Sequence, residues 1–190
     1  MIRIGILGDI GSGKSFVAKR FGFPVFNADK EVGKIYKNNR KIFTKLKKNL
    51  PKYINSFPIN KIEISKAILA SETNLDKIIK IVHVEVRKKM NFFLKKNKNE
   101  KIIILDIPLL LENKINKKND ILIFVKSRKS DIQKKLLKRK NLNIKIIKKF
   151  KKVQLPLAFK EKKSHFIIKN NFTKMSVKKD IDDILLKILK

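Results

Sequence analysis

Two adjoining stretches decide the fold: Ile2-Arg3-Ile4-Gly5-Ile6-Leu7, then Gly8-Asp9-Ile10-Gly11-Ser12-Gly13-Lys14-Ser15. The first is an apolar run with one charge, which predicts a strand buried on both faces of a parallel sheet. The second matches G-x-x-x-x-G-K-[ST], a loop whose backbone amides can surround a phosphate. Phe16, Val17, Arg20 and Phe21 then recur at helical spacing, with Gly22 placed to end a helix over 14–21. Pro24, Val25 and Phe26 restart a short strand. Strand, glycine loop, helix and strand make a βαβ unit, so the expected class is α/β with a mostly parallel sheet. All six glycines fall within the first 33 residues, where the loop needs them.

Outward from this unit the pattern changes. Between residues 31 and 99, apolar residues three and four apart (Ile64, Ile68, Leu69; Ile78, Ile79, Val82, Val86) predict amphipathic helices, with Pro51 and Pro58 breaking the first part. Ile102 to Leu105, ending at Asp106, and Ile121 to Val125 read as two more buried strands, the latter followed by a helix around Ser130 to Lys138. Residues 139–163 are very basic and weakly patterned, which suits a mobile segment. Phe166 to Ile168 is a last short strand. Ile181, Ile184, Leu185, Ile188 and Leu189 form the stripe of a C-terminal helix, with Ser176 as its expected N-cap. The expected layout is a five-stranded phosphate-loop core (1–30, 100–138 and 164–190), a helical acceptor-binding insertion (31–99) and a lid (139–163).

The composition excludes several classes. No cysteine is present and only two histidines, which removes disulfides, thiolate zinc sites, cysteine nucleophiles and His-rich metal centres. No run reaches the ~20 apolar residues of a membrane span, and no leader pattern opens the chain, so a soluble protein of a reducing cytoplasm is expected. The formal charge of +33 suggests nucleic acid as a partner. However, Lys, Ile and Asn, all favoured by A/T-rich codons, supply nearly half of the chain, and the basic residues are spread along its whole length. Interleaved aromatics of the kind that stack bases are not evident. The charge is therefore read as compositional bias, and no specific nucleic-acid partner is expected. It still favours polyphosphate ligands.

The loop assigns roles directly. Amides of Gly11, Ser12, Gly13, Lys14, Ser15 and Phe16 would face the ATP phosphates at a helix N-terminus, Lys14 would bridge the β- and γ-phosphates, and the Ser15 hydroxyl would ligate Mg²⁺. GTPase chemistry is disfavoured, because no D-x-x-G follows the loop and N-K-x-D does not occur. A motor or helicase would need a longer chain. A small kinase remains, with a lid to exclude water and neutralise the developing charge. Asp29, just after the second strand, either accepts a proton from an attacking hydroxyl or caps a helix starting at Lys30.

Further segments resemble those of dephospho-coenzyme A kinases, in the same order. They are the loop 8–15, Asn27-Ala28-Asp29, Asp106-Ile107-Pro108-Leu109-Leu110-Leu111-Glu112, the pair Lys135 and Arg139, Gln154-Leu155-Pro156 with Lys160, and Phe166-Ile167-Ile168 with Asn170. The likeness runs from residue 2 to about 171, and the 106–112 segment combined with Gln154-Leu155-Pro156 is its specific part. It implies transfer of the ATP γ-phosphoryl group to the ribose 3′-hydroxyl of dephospho-CoA. On the same likeness Asp29 is the general base and Arg139 the lid arginine on the ATP phosphates. His83 and Arg87 lie in the acceptor-binding helices as ligand contacts or as structure, and Lys160 and Asn170 lie near the nucleotide base. Asp106 would order Mg²⁺ through water or hold the acceptor. Arg139 could equally be one more solvated charge. Departures from the family pattern include Asp9 for a loop glycine, Phe16 for a threonine, Asn27 for an aspartate, Val84 for the proline after His83, Lys135 for an arginine and His165 for an aspartate. Two alternatives stay open: a kinase of another small acceptor such as a nucleoside monophosphate, and an ATP-dependent nucleic-acid-binding protein.

Overall fold

The computed structural model describes residues 1–138 and 143–189. Its strands are β1 (Ile2–Gly8), β2 (Val25–Asn27), β3 (Ile102–Asp106), β4 (Ile121–Lys126) and β5 (Phe166–Lys169). Its helices are α1 (Lys14–Arg20), α2 (Ala28–Asn38), α3 (Arg40–Asn49), α4 (Lys61–Ala70), α5 (Glu72–Lys96), α6 (Lys129–Leu137), α7 (Ile144–Lys152), α8 (Leu157–Lys162) and α9 (Lys174–Leu189). As the sequence predicts, the five strands form one parallel sheet; their order is β2-β3-β1-β4-β5.

The chain divides into two compact units. The first comprises residues 1–27, 97–142 and 153–190 and contains the whole sheet; the second comprises 28–96 and 143–152 and is helical. In the first, Ile4 and Ile6 of β1, Ile102 and Ile104 of β3, Ile123 and Val125 of β4 and Ile168 of β5 share one sheet face. Val17, Ala18 and Phe21 from α1 and its end, and Val177, Ile181 and Ile184 of α9, cover that face. Ile103, Leu105, Leu122 and Phe124 are buried as well, which explains why β3 and β4 show no polar alternation. The one charge in the first strand is neutralised internally: Arg3 reaches Asp120 at 3.0 Å, with both side chains buried. The order of the sheet places β1 between strands reached from opposite directions, so its C-terminal end is the expected ligand-binding edge.

In the second unit the predicted stripes pack inward, with Ile64 and Ile68 of α4 and Ile78, Val82 and Val86 of α5 buried. Asn39 and Asn60 cap α3 and α4 by accepting from the Ile42 and Ile62 amides. Pro51 and Pro58 fall in the connection between these two helices.

Some expectations change. Of the segment 139–163, residues 143–152 fall in the helical unit and 153–163 in the sheet unit. These described residues are not unpatterned. Ile146, Ile147 and Phe150 fall on one half-buried face of α7, and α8 follows Pro156. Ser176 is not the N-cap of the last helix, because α9 begins at Lys174. Leu189, expected in the apolar stripe of α9, is exposed in its last turn.

Candidate active site

Between β1 and α1 the backbone turns through positive φ at Gly8 (145°), Gly11 (87°) and Gly13 (87°), conformations that L side chains rarely adopt. Gly13 is the N-cap of α1 and supplies no side-chain cap. A helix start with no side-chain cap is a place where an external anion can bind. The Ser12 N–H donates to the Asp9 carbonyl at 3.2 Å. Asp9 itself bends onto the loop, its Oδ1 accepting the Ile10 N–H at 2.7 Å, which gives this added carboxylate a local partner. Lys14 Nζ lies back across the loop and donates to the carbonyls of Gly8 (3.1 Å) and Asp9 (2.8 Å).

The Phe16 N–H donates to the Gly13 carbonyl at 2.9 Å, closing the first turn of α1. The Phe16 ring lies under the Arg20 guanidinium, 4.1 Å from the ring centroid.

At the same edge the C-terminal residues of β2 and β3 stand opposite each other, Asn27 paired with Asp106. Asn27 Nδ2 donates to Asp106 Oδ2 and also approaches Ser15 Oγ at 3.5 Å. Asp106 is 3% exposed. A hydroxyl and a buried carboxylate joined through one amide are hard oxygen donors, a set that fits Mg²⁺. Among the described residues no group of three or more His, Cys, Asp or Glu gathers as a metal cage. A cation held by Ser15 and Asp106 would complete its shell with water and phosphate oxygens, as Mg²⁺ does.

Two residues expected near the nucleotide base, Asn170 and Lys160, are buried. Asn170, 3% exposed, donates from Nδ2 to the Ser12 carbonyl at 2.8 Å, and Ser127 Oγ donates to the same carbonyl at 2.9 Å. Lys160 is 1% exposed, and its ammonium pairs with Glu112 Oε1, which also accepts the Leu155 N–H at 3.0 Å. Glu112 and Lys160 thus lock the two most distinctive segments of the sequence to each other. Lys135 of α6 stands over the Phe172 ring, 5.3 Å from its centroid. The sequence reading missed Ser127 and Phe172. Ser127 was findable as a small polar residue just past the end of a core strand.

In the helical unit, Asp29 is the second residue of α2 and exposed, so it lies inside the helix and is not the residue preceding it. A carboxylate in a first helical turn is favoured by the helix dipole. His83 and Arg87 fall one turn apart on α5, the first half-buried and the second exposed. Arg139 lies outside the described residues.

Together the parallel sheet, the glycine loop and the Ser15–Asn27–Asp106 cluster define a phosphate-loop kinase. The profile of the dephospho-CoA kinase family matches residues 2–175. A dephospho-CoA kinase of Wolbachia pipientis wMel is 35% identical over 187 residues, spanning 96% of this chain and 95% of that protein. The chain belongs to the dephospho-CoA kinase family. Solved structures share the fold. One from Thermus thermophilus superposes with a TM-score of 0.78 at 22% identity, spanning 100% of this chain and 98% of that one. A dephospho-CoA kinase from Campylobacter jejuni gives 0.61 at 21%, spanning 98% and 96%.

Proposed function

We propose that the chain transfers the γ-phosphoryl group of ATP to the ribose 3′-hydroxyl of dephospho-CoA, giving CoA and ADP, the last step of CoA synthesis. The observation that carries this reading is the glycine loop with the hydroxyl of Ser15 and the buried carboxylate of Asp106 at one edge of the sheet. Amides of Gly13, Lys14 and Ser15 at the start of α1 bind the phosphates. Lys14 exchanges its two loop carbonyls for phosphate oxygens as ATP arrives, and so carries its charge from ground state to transition state. Ser15 and, through water, Asp106 would hold Mg²⁺, which when bound neutralises phosphate charge. Asp29 takes the proton of the attacking hydroxyl, and the role assigned to Arg139, whose planar fork suits spread oxyanion charge, is to neutralise the γ-phosphoryl oxygens. His83 and Arg87 serve the acceptor.

No helix among the described residues is long and apolar enough to cross a membrane, and we place the reaction in the cytoplasm. The +33 charge acts on polyphosphate substrates and not on a specific nucleic acid. An acceptor panel tests the assignment: dephospho-CoA, nucleoside monophosphates and polyribonucleotide, each with Mg-ATP and product masses recorded. Dephospho-CoA alone should gain one phosphoryl mass. Phosphorylation of a nucleoside monophosphate in its place would reassign the acceptor.

A further inference from the structure

We propose that Asn170 and Ser127 are positioning residues that set the orientation of one peptide unit of the phosphate loop, the Ser12–Gly13 peptide. Two donors from two different strand exits converge on its oxygen. Ser127, just after β4, approaches from Oγ at 2.9 Å, and Asn170, just after β5, from Nδ2 at 2.8 Å. A trans peptide is planar, with its C=O and N–H pointing in opposite directions. Fixing the Ser12 carbonyl outward therefore fixes the Gly13 N–H inward, toward the concave side of the loop. This peptide would flip about ψ of Ser12 and φ of Gly13, and Gly13, held at φ 87° with no Cβ, offers little steric resistance on its side. The clamp supplies that resistance.

Asn170 is itself held. Its Oδ1 accepts the Phe172 N–H at 2.8 Å, and its own N–H donates to the Lys126 carbonyl at 2.8 Å, continuing the β4–β5 ladder. Its amide therefore faces the loop with the NH₂ group and cannot turn without breaking the bond to Phe172. Close approach reinforces the clamp. A Cβ on Gly13 would lie 2.4 Å from Asn170 Nδ2 and 3.0 Å from the Phe172 ring. The Ser12 hydroxyl, 1% exposed and without a hydrogen-bond partner, leaves this task to the two neighbouring strands.

This inference rests on the phosphate-loop reading and differs from it in what it predicts. The locked peptide serves phosphate, so its loss should weaken any polyphosphate whether or not a base is attached. Isothermal titration of the purified chain with inorganic tripolyphosphate and, separately, with ATP tests this. Asn170→Ala and Ser127→Ala should each weaken both ligands about fivefold, the effect of one hydrogen bond, and the double variant at least about twentyfold. In turnover the KM for ATP should rise while that for the acceptor holds. Thermal unfolding without ligand separates this from a general loss of structure, because Ser127→Ala lies on a partly exposed loop and should melt with the wild type. If Asn170→Ala fails to fold, Ser127→Ala carries the test alone. Unchanged tripolyphosphate affinity in the folded variants overturns the clamp, as does a loss confined to ATP, which would place Asn170 at the base instead. A wild-type chain that binds no tripolyphosphate would overturn the phosphate-loop reading itself.

Discussion

Asn27 stands directly opposite Asp106 across the parallel pair β2–β3 and donates an amide hydrogen to its buried carboxylate. An amide in this place lets a carboxylate stay buried beside the loop without a second negative charge facing it. Asn27→Asp would set two carboxylates in direct register. Loss of the hydrogen bond and the new repulsion should cost about 1–3 kcal/mol, lowering the melting temperature by roughly 2–8 °C in EDTA. Millimolar Mg²⁺ should restore most of this loss while moving the wild type little. Equal melting of the variant with and without Mg²⁺ would remove Asn27 from the cation site.

Glu112 and Lys160 make the second prediction. Both side chains are withdrawn from solvent, so removing one partner strands the other's charge. Lys160→Met should destabilise the chain by about 3–5 kcal/mol in urea unfolding, with Glu112→Gln added to it recovering a large part. A loss below about 1 kcal/mol would mean that water reaches Glu112 when the lysine is gone.

Burial raises the carboxyl of Asp120 above its ordinary value, more than the Lys117 amide and Arg3 lower it. A raised acid binds its proton more tightly folded than unfolded, so this group's contribution is present below the ordinary carboxylate value and lost as pH rises through the folded one. Stability of the wild type relative to Asp120→Asn should therefore improve as the pH falls from neutral toward 4. A difference independent of pH would contradict this.

Lys14 and Asp29 separate electrostatics from proton transfer. Lys14→Ala should lower turnover by about 10³-fold or more. Asp29→Asn should lower kcat by about 10²–10⁴-fold with ATP affinity nearly unchanged, the mark of a general base. Equal loss of ATP affinity and kcat in Asp29→Asn would instead make it a structural acid at the start of α2.

Much of the architecture is legible because apolar runs and glycine spacing are local signals. Ile2 to Ser15 specify strand, loop and helix start without help from the rest of the chain, and Asp106 stands out as the first polar residue after an unbroken core strand. Lys160 was not legible as buried. In a chain this rich in lysine, one more carries no periodic signal, and its partner Glu112 comes from a distant segment. Sequence shows a helix start at Lys14 but not how tightly its first turn closes on Gly13 through the Phe16 N–H. The α7 pattern of Ile146, Ile147 and Phe150 was present but short, and lysines hid it. The Asn170 carboxamide meets the loop backbone, a contact that no residue pattern encodes.

The most direct test of the whole account is ADP formation by the purified chain in Mg-ATP, with and without dephospho-CoA, with CoA quantified in the same samples. The account predicts ADP release that depends on dephospho-CoA and matches CoA formed one for one. ADP release indifferent to dephospho-CoA, yet stimulated by RNA with a steep salt dependence, would contradict it and make the basic surface the functional feature.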